Sequence, residues 1–381
     1  MMDEAAMLIV DDMSRHGLDR AIAGLRDFPN LSTTFNERRW RRKQANVPIW
    51  KAHPVLRWAS HPCHQTRANL LGSLERSVQH LADAGVQRLP GKLVDLRDSL
   101  NFASHHAELR LAAYLSAHRD ASIELDPPVP ESLSGQRGDL HVRFPDGCRY
   151  WIEVIAPHEA QTRWDFSECL VCAAHAFEIE RPAAEFGYHL VATCSETAQI
   201  TEEQLDDCIG TVLQWLEKGR MAVGEETLIW QLDASVHVSA APSPGGIRGG
   251  LNIMHRLGHR LHYGGAPVHL VSGRACDKSK KGQFPEGEFC ILAAEFGRVS
   301  MASNFLHSAH VADSWMDWAK WHLPPEVSLF VAYQFAINTD PPWAVAYCAN
   351  PNADDSTVRE ALQHLGLLLP SSDPASVGHH A

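Results

Sequence analysis

The sequence predicts a mixed α/β protein with a helical N-terminal region, and three observations carry that expectation. A period-two stretch from Asp139 to Phe144 is followed by a turn signal and by a second strand-like run from Arg149 to Ile155. Apolar residues at helical spacing run from Asn101 to His118 and again through residues 201–218. Residues 1–98 look helical and rather polar, and they hold the most basic stretch of the chain, Arg38-Arg39-Trp40-Arg41-Arg42-Lys43.

A chain of 381 residues at 45% hydrophobic can bury one large core, or one core with smaller flanking domains. The formal net charge of -12 argues against a protein that coats nucleic acid with its whole surface, while leaving room for a local basic footprint. No apolar run approaches the roughly 18 residues that span a bilayer, so no membrane partner is expected. The short apolar stretch from Ala5 to Val10 has no basic flank before it and carries Asp11 and Asp12 behind it, unlike a secretory signal. Nine cysteines, an odd number without framework spacing, read as reduced and mostly buried in a cytoplasmic protein.

In chain order, the expected organisation is a partly basic helical region at 1–98, an α/β core at 99–300, a Trp-rich extension of that core at 301–370 and a disordered tail at 371–381. Within the core, Thr201 can cap a helix over 201–218 whose early turns hold Glu203, Asp206 and Asp207. Residues 227–239 read as a strand, and the Pro- and Gly-rich stretch from Pro242 to Gly250 reads as a loop. A further helix ends near Lys281, ahead of a strand at Phe289 to Ala294.

The hairpin carries the functional argument. Leu140, Val142 and Phe144 alternate with Asp139, His141 and Arg143. Pro145-Asp146-Gly147 then supplies a preset first turn position, an aspartate, and a glycine for a left-handed third position. A three-residue loop centred on Asp146 sets Asp139 opposite Glu153, give or take one position for a bulge. Two facing carboxylates repel, and a divalent cation between them makes the arrangement tolerable; two solvated acids on an exposed hairpin fit the spacing as well. Glu108 falls with Leu111, Ala112 and Leu115 at i, i+3, i+4 and i+7, which places a third carboxylate on or beside an apolar helix stripe. Pairing with Arg110 or Arg143 would account for it without a cation.

A helix bearing Glu108 in His-His-Ala-Glu-Leu-Arg, a strand opening Arg-Gly-Asp139-Leu-His-Val, and a hairpin into Trp-Ile-Glu153-Val-Ile-Ala-Pro resemble the PD-(D/E)xK superfamily of restriction-endonuclease-like nucleases. The match covers about 60 residues, and its motifs are short. The resemblance implies a central mixed sheet flanked by helices and a Mg²⁺ or Mn²⁺ site. Asp139, Glu153 and the Val154 carbonyl would be ligands, with Glu108 binding directly or through water. It implies phosphodiester hydrolysis on nucleic acid, with DNA favoured over RNA but the choice left open by the sequence, in a restriction or phage-defence setting. The family's Glu-x-Lys reads Glu153-Val154-Ile155 here, so the motif lysine is absent from its place. Either another cation enters the site, or the protein is an inactive member of the fold that binds nucleic acid or a protein partner. Lys278 and Lys281, in Asp-Lys-Ser-Lys-Lys-Gly-Gln near the expected helix end, are the candidate substitutes. They resemble the Lys- and Gln-bearing helix beside the site in some relatives, although lysines also suit a last helical turn. His158 is a further candidate proton handler.

Arg38, Arg39, Trp40, Arg41, Arg42 and Lys43 can hold phosphates and stack a base, or simply form a solvated basic face. Cys169-x-x-Cys172-x-x-His175 has a fragment of zinc spacing but reads better as helix packing. Trp315, Trp318 and Trp321 read as a packed helix face, with some exposure making a surface for a homodimer or a protein partner. No Walker loop, nucleophile elbow or dinucleotide fingerprint occurs.

Overall fold

The computed structural model describes residues 17–44, 47, 49–60, 64–99, 101–130, 135–156, 166, 169–170, 173–174, 177, 188–194, 200–218, 226–242, 253–256, 271, 275–295, 323–336 and 339–366. The fold is mixed α/β. In chain order its helices include α1 (Pro29–Thr34), α2 (Glu37–Gln44), α3 (Pro54–Ser60), α4 (His64–Asp83), α5 (Leu89–Asp95), α6 (Phe102–Arg119), α7 (Glu202–Glu217) and α8 (Asp355–His364). Its strands are β1 (Ser122–Leu125), β2 (Leu140–Arg143), β3 (Arg149–Ile155), β4 (Tyr188–Cys194) and β5 (Thr227–Asp233), followed by β6 (Val236–Pro242), β7 (Ile253–Arg256), β8 (Cys290–Glu295), β9 (Leu329–Ala336) and β10 (Thr339–Ala349). No helix among the described residues is long and apolar enough to cross a membrane.

Two compact units divide the chain: Met1–Gly72 with Glu159–Leu261, and Ser73–His158 with His262–Ala381. This differs from sequence boundaries at 98 and 300. Strands β4 to β7 close a four-stranded sheet of their own, in the order β5-β6-β4-β7, instead of extending the sheet that carries the hairpin. The stretch expected as a Trp-rich extension supplies two integral strands, β9 and β10, of that other sheet.

In the first unit, the expected single strand at 227–239 is a hairpin. Asp233 Oδ1 accepts from the Ser235 amide (2.7 Å), the Ser235 hydroxyl (2.6 Å) and the Val236 amide (3.0 Å), turning β5 back onto β6. Thr201 caps α7 as expected, and Gln204 completes a reciprocal capping box. On α2, Arg38, Arg39, Arg41, Arg42 and Lys43 are exposed, whereas Trp40 is 3% exposed and packs against Phe35 and His53.

The second unit is built on a six-stranded mixed sheet, β1-β2-β3-β8-β9-β10. Its first three strands and its last pair are antiparallel, and β3-β8 and β8-β9 are parallel. Parallel neighbours must be joined by a crossover, so β8 adds to β3 only after the long excursion through the other unit. Helix α6 packs on β3. By the parallel register, Trp151, Glu153 and Ile155 share a face with Cys290, Leu292 and Ala294. Apart from Glu153, these residues form one buried cluster with Val271, Ala275 and Phe284 from the covering segment.

Candidate active site

The hairpin folds in the expected register. Leu140 pairs with Ile152 and Arg143 with Arg149, so continuing by one residue sets Asp139 against Glu153. Gly147 closes the turn at a φ of 94°, the left-handed position that favours glycine. The two acids are then locked to each other's backbone: the Asp139 amide donates to Glu153 Oε1 (3.1 Å), and the Val154 amide donates to Asp139 Oδ2 (2.8 Å). The Trp151 indole N–H adds a third constraint, donating to Glu153 Oε1 at 3.0 Å. Gly138 is required by that indole, because a Cβ there would run into the Trp151 ring.

Lys278 enters this pair. Its Nζ lies 2.6 Å from Asp139 Oδ2 and 2.6 Å from Glu153 Oε2, with its side chain 15% exposed. The helical segment 275–280 ends in a Schellman arrangement: Gln283 N–H donates to the Lys278 carbonyl, Gly282 N–H donates to Ser279, and Gly282 takes a φ of 64°. This stop leaves Lys278 one turn from the helix end. Ala275, three residues earlier, packs under Ile155 and Leu292 in the buried cluster. Lys281 lies past the helical segment and is exposed, so of the two candidate lysines it is not brought to the acids.

Electrostatics follow from burial around a shared cation. Burial opposes charge on Asp139, but Lys278 and Lys92 outweigh it and hold the carboxyl below its ordinary value. Glu153, at 0% exposure, is pushed up to about 8 by burial and by the Asp139 charge beside it, against the opposing pull of Lys278. Burial pulls the Lys278 ammonium down, and its two carboxylates more than reverse this, so it stays protonated at any ordinary pH.

Glu108 is 3% exposed on α6, and its partners are neither Arg110 nor Arg143 but Lys92 of α5 and, at 3.6 Å, His105 Nδ1 one turn back on α6. Sequence reasoning missed Lys92. Its ammonium ion-pairs with Glu108 and with Asp126 Oδ1 (2.7 Å); burial opposes its charge, but Glu108, Asp139 and Asp126 more than reverse this and hold its pKa above the ordinary value. The Asp126 amide donates to the Asp139 carbonyl at 3.0 Å, so Lys92 ties Glu108 to the strand end that bears Asp139. A fourth buried acid, Glu295, ends β8 opposite Tyr333 on β9, and the charges of Glu295, Glu108 and Asp139 all bear on the Tyr333 hydroxyl. Nothing in Leu89-Pro-Gly-Lys92-Leu marks a buried cation, because a lysine's burial is decided by partners distant in sequence.

The remaining candidates divide plainly. Trp40 is core, so the expectation that it stacks a base is corrected: its indole is spent on Phe35 and His53. Arg41 is bound to Asp19 (2.7 Å) and Glu37 (2.9 Å), which leaves the basic face less positive than its sequence suggests. Cys169 is buried within 4.0 Å of the Arg57 guanidinium. Cys172, His175, His158, the loop 243–250, Trp315, Trp318, Trp321, residues 1–16 and the tail from Ser371 lie outside the described residues, and of Trp343 only the backbone is described.

The donor set suits a hard divalent ion. Two carboxylates from adjacent strands already hold one positive group, the Lys278 ammonium, at hydrogen-bond distance from both. Comparison with family models, curated proteins and solved structures gives no match.

Proposed function

We propose that this chain is a divalent-metal-dependent phosphodiester hydrolase acting on DNA, with a restriction-endonuclease-like arrangement in its second unit. The observation that carries the reading is the Lys278 ammonium, 2.6 Å from both Asp139 and Glu153. It supports a site in which the cation missing at position 155 arrives from the helix that covers the same sheet face. Asp139 and Glu153 would hold Mg²⁺ or Mn²⁺, with the Val154 carbonyl as a further oxygen donor; Glu108 does not group with the two acids within 4.8 Å and would act through water. When bound, that ion supplies Lewis-acid polarisation and lowers the pKa of a water. Lys278 stays protonated, so its part is to orient the nucleophile and steady phosphoryl charge, not to accept a proton. Trp151 fixes the Glu153 carboxylate, and Lys92 holds Glu108 against the strand end. Arg38, Arg39 and Arg42, exposed on α2, are available for phosphate contacts, and the described cysteines, all thiols, accord with a cytoplasmic setting.

The test is nicking of supercoiled plasmid by the full chain in Mg²⁺ or Mn²⁺. Asp139→Asn is expected to abolish it, and Lys278→Ala to reduce it by about 10²–10³-fold, as for loss of one charge-stabilising donor. Undiminished nicking by Asp139→Asn rejects the site.

One observation favours a second reading, an inactive member of the fold that binds nucleic acid or a protein partner. Lys92 and Lys278 between them bridge Glu108, Asp126, Asp139 and Glu153, which compensates much of the acidic charge without a metal. Calorimetric titration with Mg²⁺ and Mn²⁺ separates the two, since the second predicts no binding that Asp139→Asn removes.

A further inference from the structure

At the closed end of the same hairpin, far along the strands from Asp139 and Glu153, a different donor set assembles. Asp146 and Cys148 come from the turn, and Glu360 and His364 come from α8. One ligand atom from each lies within 4.8 Å of all the others. The sequence pattern is two close pairs: Asp-x-Cys across the turn, and Glu-x-x-x-His at the i, i+4 spacing that puts two side chains on one helix face. Donor atoms around a tetrahedral zinc, at bonds of about 2.0–2.3 Å, are about 3.3–3.7 Å apart, so side-chain torsions alone can close the set.

The imidazole is already oriented for such a role. His364 Nδ1 meets the Tyr150 hydroxyl at 2.8 Å, while Nε2 points to Asp146 Oδ2 at 2.6 Å. Phe144 stacks on the ring, with centroids 4.4 Å apart and planes 19° from parallel. A hydroxyl can accept from one tautomer and donate to the other, so Tyr150 can serve the metal-binding form, in which Nδ1 carries the proton and Nε2 the metal. Asp146 Oδ1 meanwhile accepts from the Cys148 amide at 3.0 Å, fixing the turn that presents the thiol.

We propose that Asp146, Cys148, Glu360 and His364 form a structural Zn²⁺ site that staples the hairpin turn to α8. A thiolate and an imidazole beside two carboxylates select a borderline-soft ion over Mg²⁺ or Ca²⁺, and four protein donors leave no open position for chemistry. The site does not rest on the nuclease reading. Its effect is mechanical: β2 and β3 are held at one end by the metal, and their other end presents the paired acids.

The experiment uses the full chain, purified with reductant, stripped by chelator and titrated with Zn²⁺, with Co²⁺ as a spectroscopic probe. Expected are one equivalent of Zn²⁺ that the Cys148→Ser/His364→Asn double variant lacks, and a near-ultraviolet thiolate-to-cobalt band lost in Cys148→Ser. Tyr150→Phe, which removes the hydroxyl that His364 Nδ1 and the Cys148 thiol both meet but no ligand atom, is expected to weaken Zn²⁺ binding by about tenfold or more. Should the double variant fail to fold, Glu360→Gln at an exposed helix position serves, with weaker Zn²⁺ affinity as its expected result. Asp139→Asn is expected to retain the zinc, so failure of the acidic site and failure of this one are distinguishable. Equal zinc content in wild type and the ligand variants, or a cobalt spectrum indifferent to Cys148→Ser, overturns the proposal.

Discussion

Replacing Lys278 with methionine removes the ammonium between Asp139 and Glu153 while keeping an apolar stem of similar length. Hydrogen bonds to charged groups contribute about 1.5–3 kcal/mol each, so two of them set a gross loss of about 3–6 kcal/mol. Part of this returns, because Glu153, pushed up to about 8 even with the ammonium beside it, is held more fully protonated at pH 8 once that charge is gone. A net cost of about 3 kcal/mol is expected, which lowers the melting temperature by about 6–12 °C for a domain of this size. The assay is thermal unfolding of wild type and Lys278→Met at pH 8, with and without Mg²⁺. A divalent ion has to displace the ammonium in the wild type but not in the variant, so Mg²⁺ is expected to raise the melting temperature of Lys278→Met by more. A variant that melts within about 2 °C of wild type, less than about 1 kcal/mol, refutes the reasoning about the ion pair. A destabilised variant that Mg²⁺ does not rescue refutes the metal site and leaves a structural charge network.

Glu153 gives a pH dependence with a definite sign. Raised from 4.5 to about 8 on folding, its contribution to stability is full below about 4.5 and is lost as pH rises through about 8. Unfolding free energies measured by urea titration over that window are therefore expected to decline less steeply with pH in Glu153→Gln than in wild type, and an unchanged slope counts against the raised value. Asp139 runs the other way: its lowered value stabilises the fold above 3.8 and is lost below it, so Asp139→Asn is expected to reduce acid sensitivity. Trp40→Ala is expected to cost about 3–5 kcal/mol in chemical denaturation, since it empties a buried ring site. If it instead weakens DNA binding with stability intact, the indole is not core.

What was legible in the sequence was what local rules decide. The hairpin register followed from strand alternation and a Pro-Asp-Gly turn, and the α7 start followed from Thr201 and the acids after it. Glu108 on an apolar stripe correctly announced a buried carboxylate, but its lysine partner lay sixteen residues back on α5, in a segment with no pattern of its own. The division into units was illegible for the same reason. Whether β4 to β7 join the hairpin's sheet or close a separate one depends on pairing between distant segments, which period-two alternation does not encode. Cys148 and Glu360 were hidden differently: each is an ordinary turn or helix residue until α8 folds against the turn.

If the proposed restriction-endonuclease-like reading holds, isoleucine at position 155, where that family carries a lysine, has a packing logic that only the register exposes. Ile155 shares the face of Glu153 and is 3% exposed, enclosed with Ala275, Leu292 and Ala294 beneath the helical segment that bears Lys278. An ammonium at 155 would sit under that helix among apolar neighbours, at a desolvation cost that buried charges meet only with partners in place. With isoleucine there, the same position helps hold the helix down, and a lysine three residues beyond Ala275 reaches the two acids from above. The strand thus contributes apolar support, and the helix contributes the charge. The proposed chemistry requires a cation at the two acids, not at one sequence position, and Lys278 meets that requirement while Ile155 packs the face beneath it.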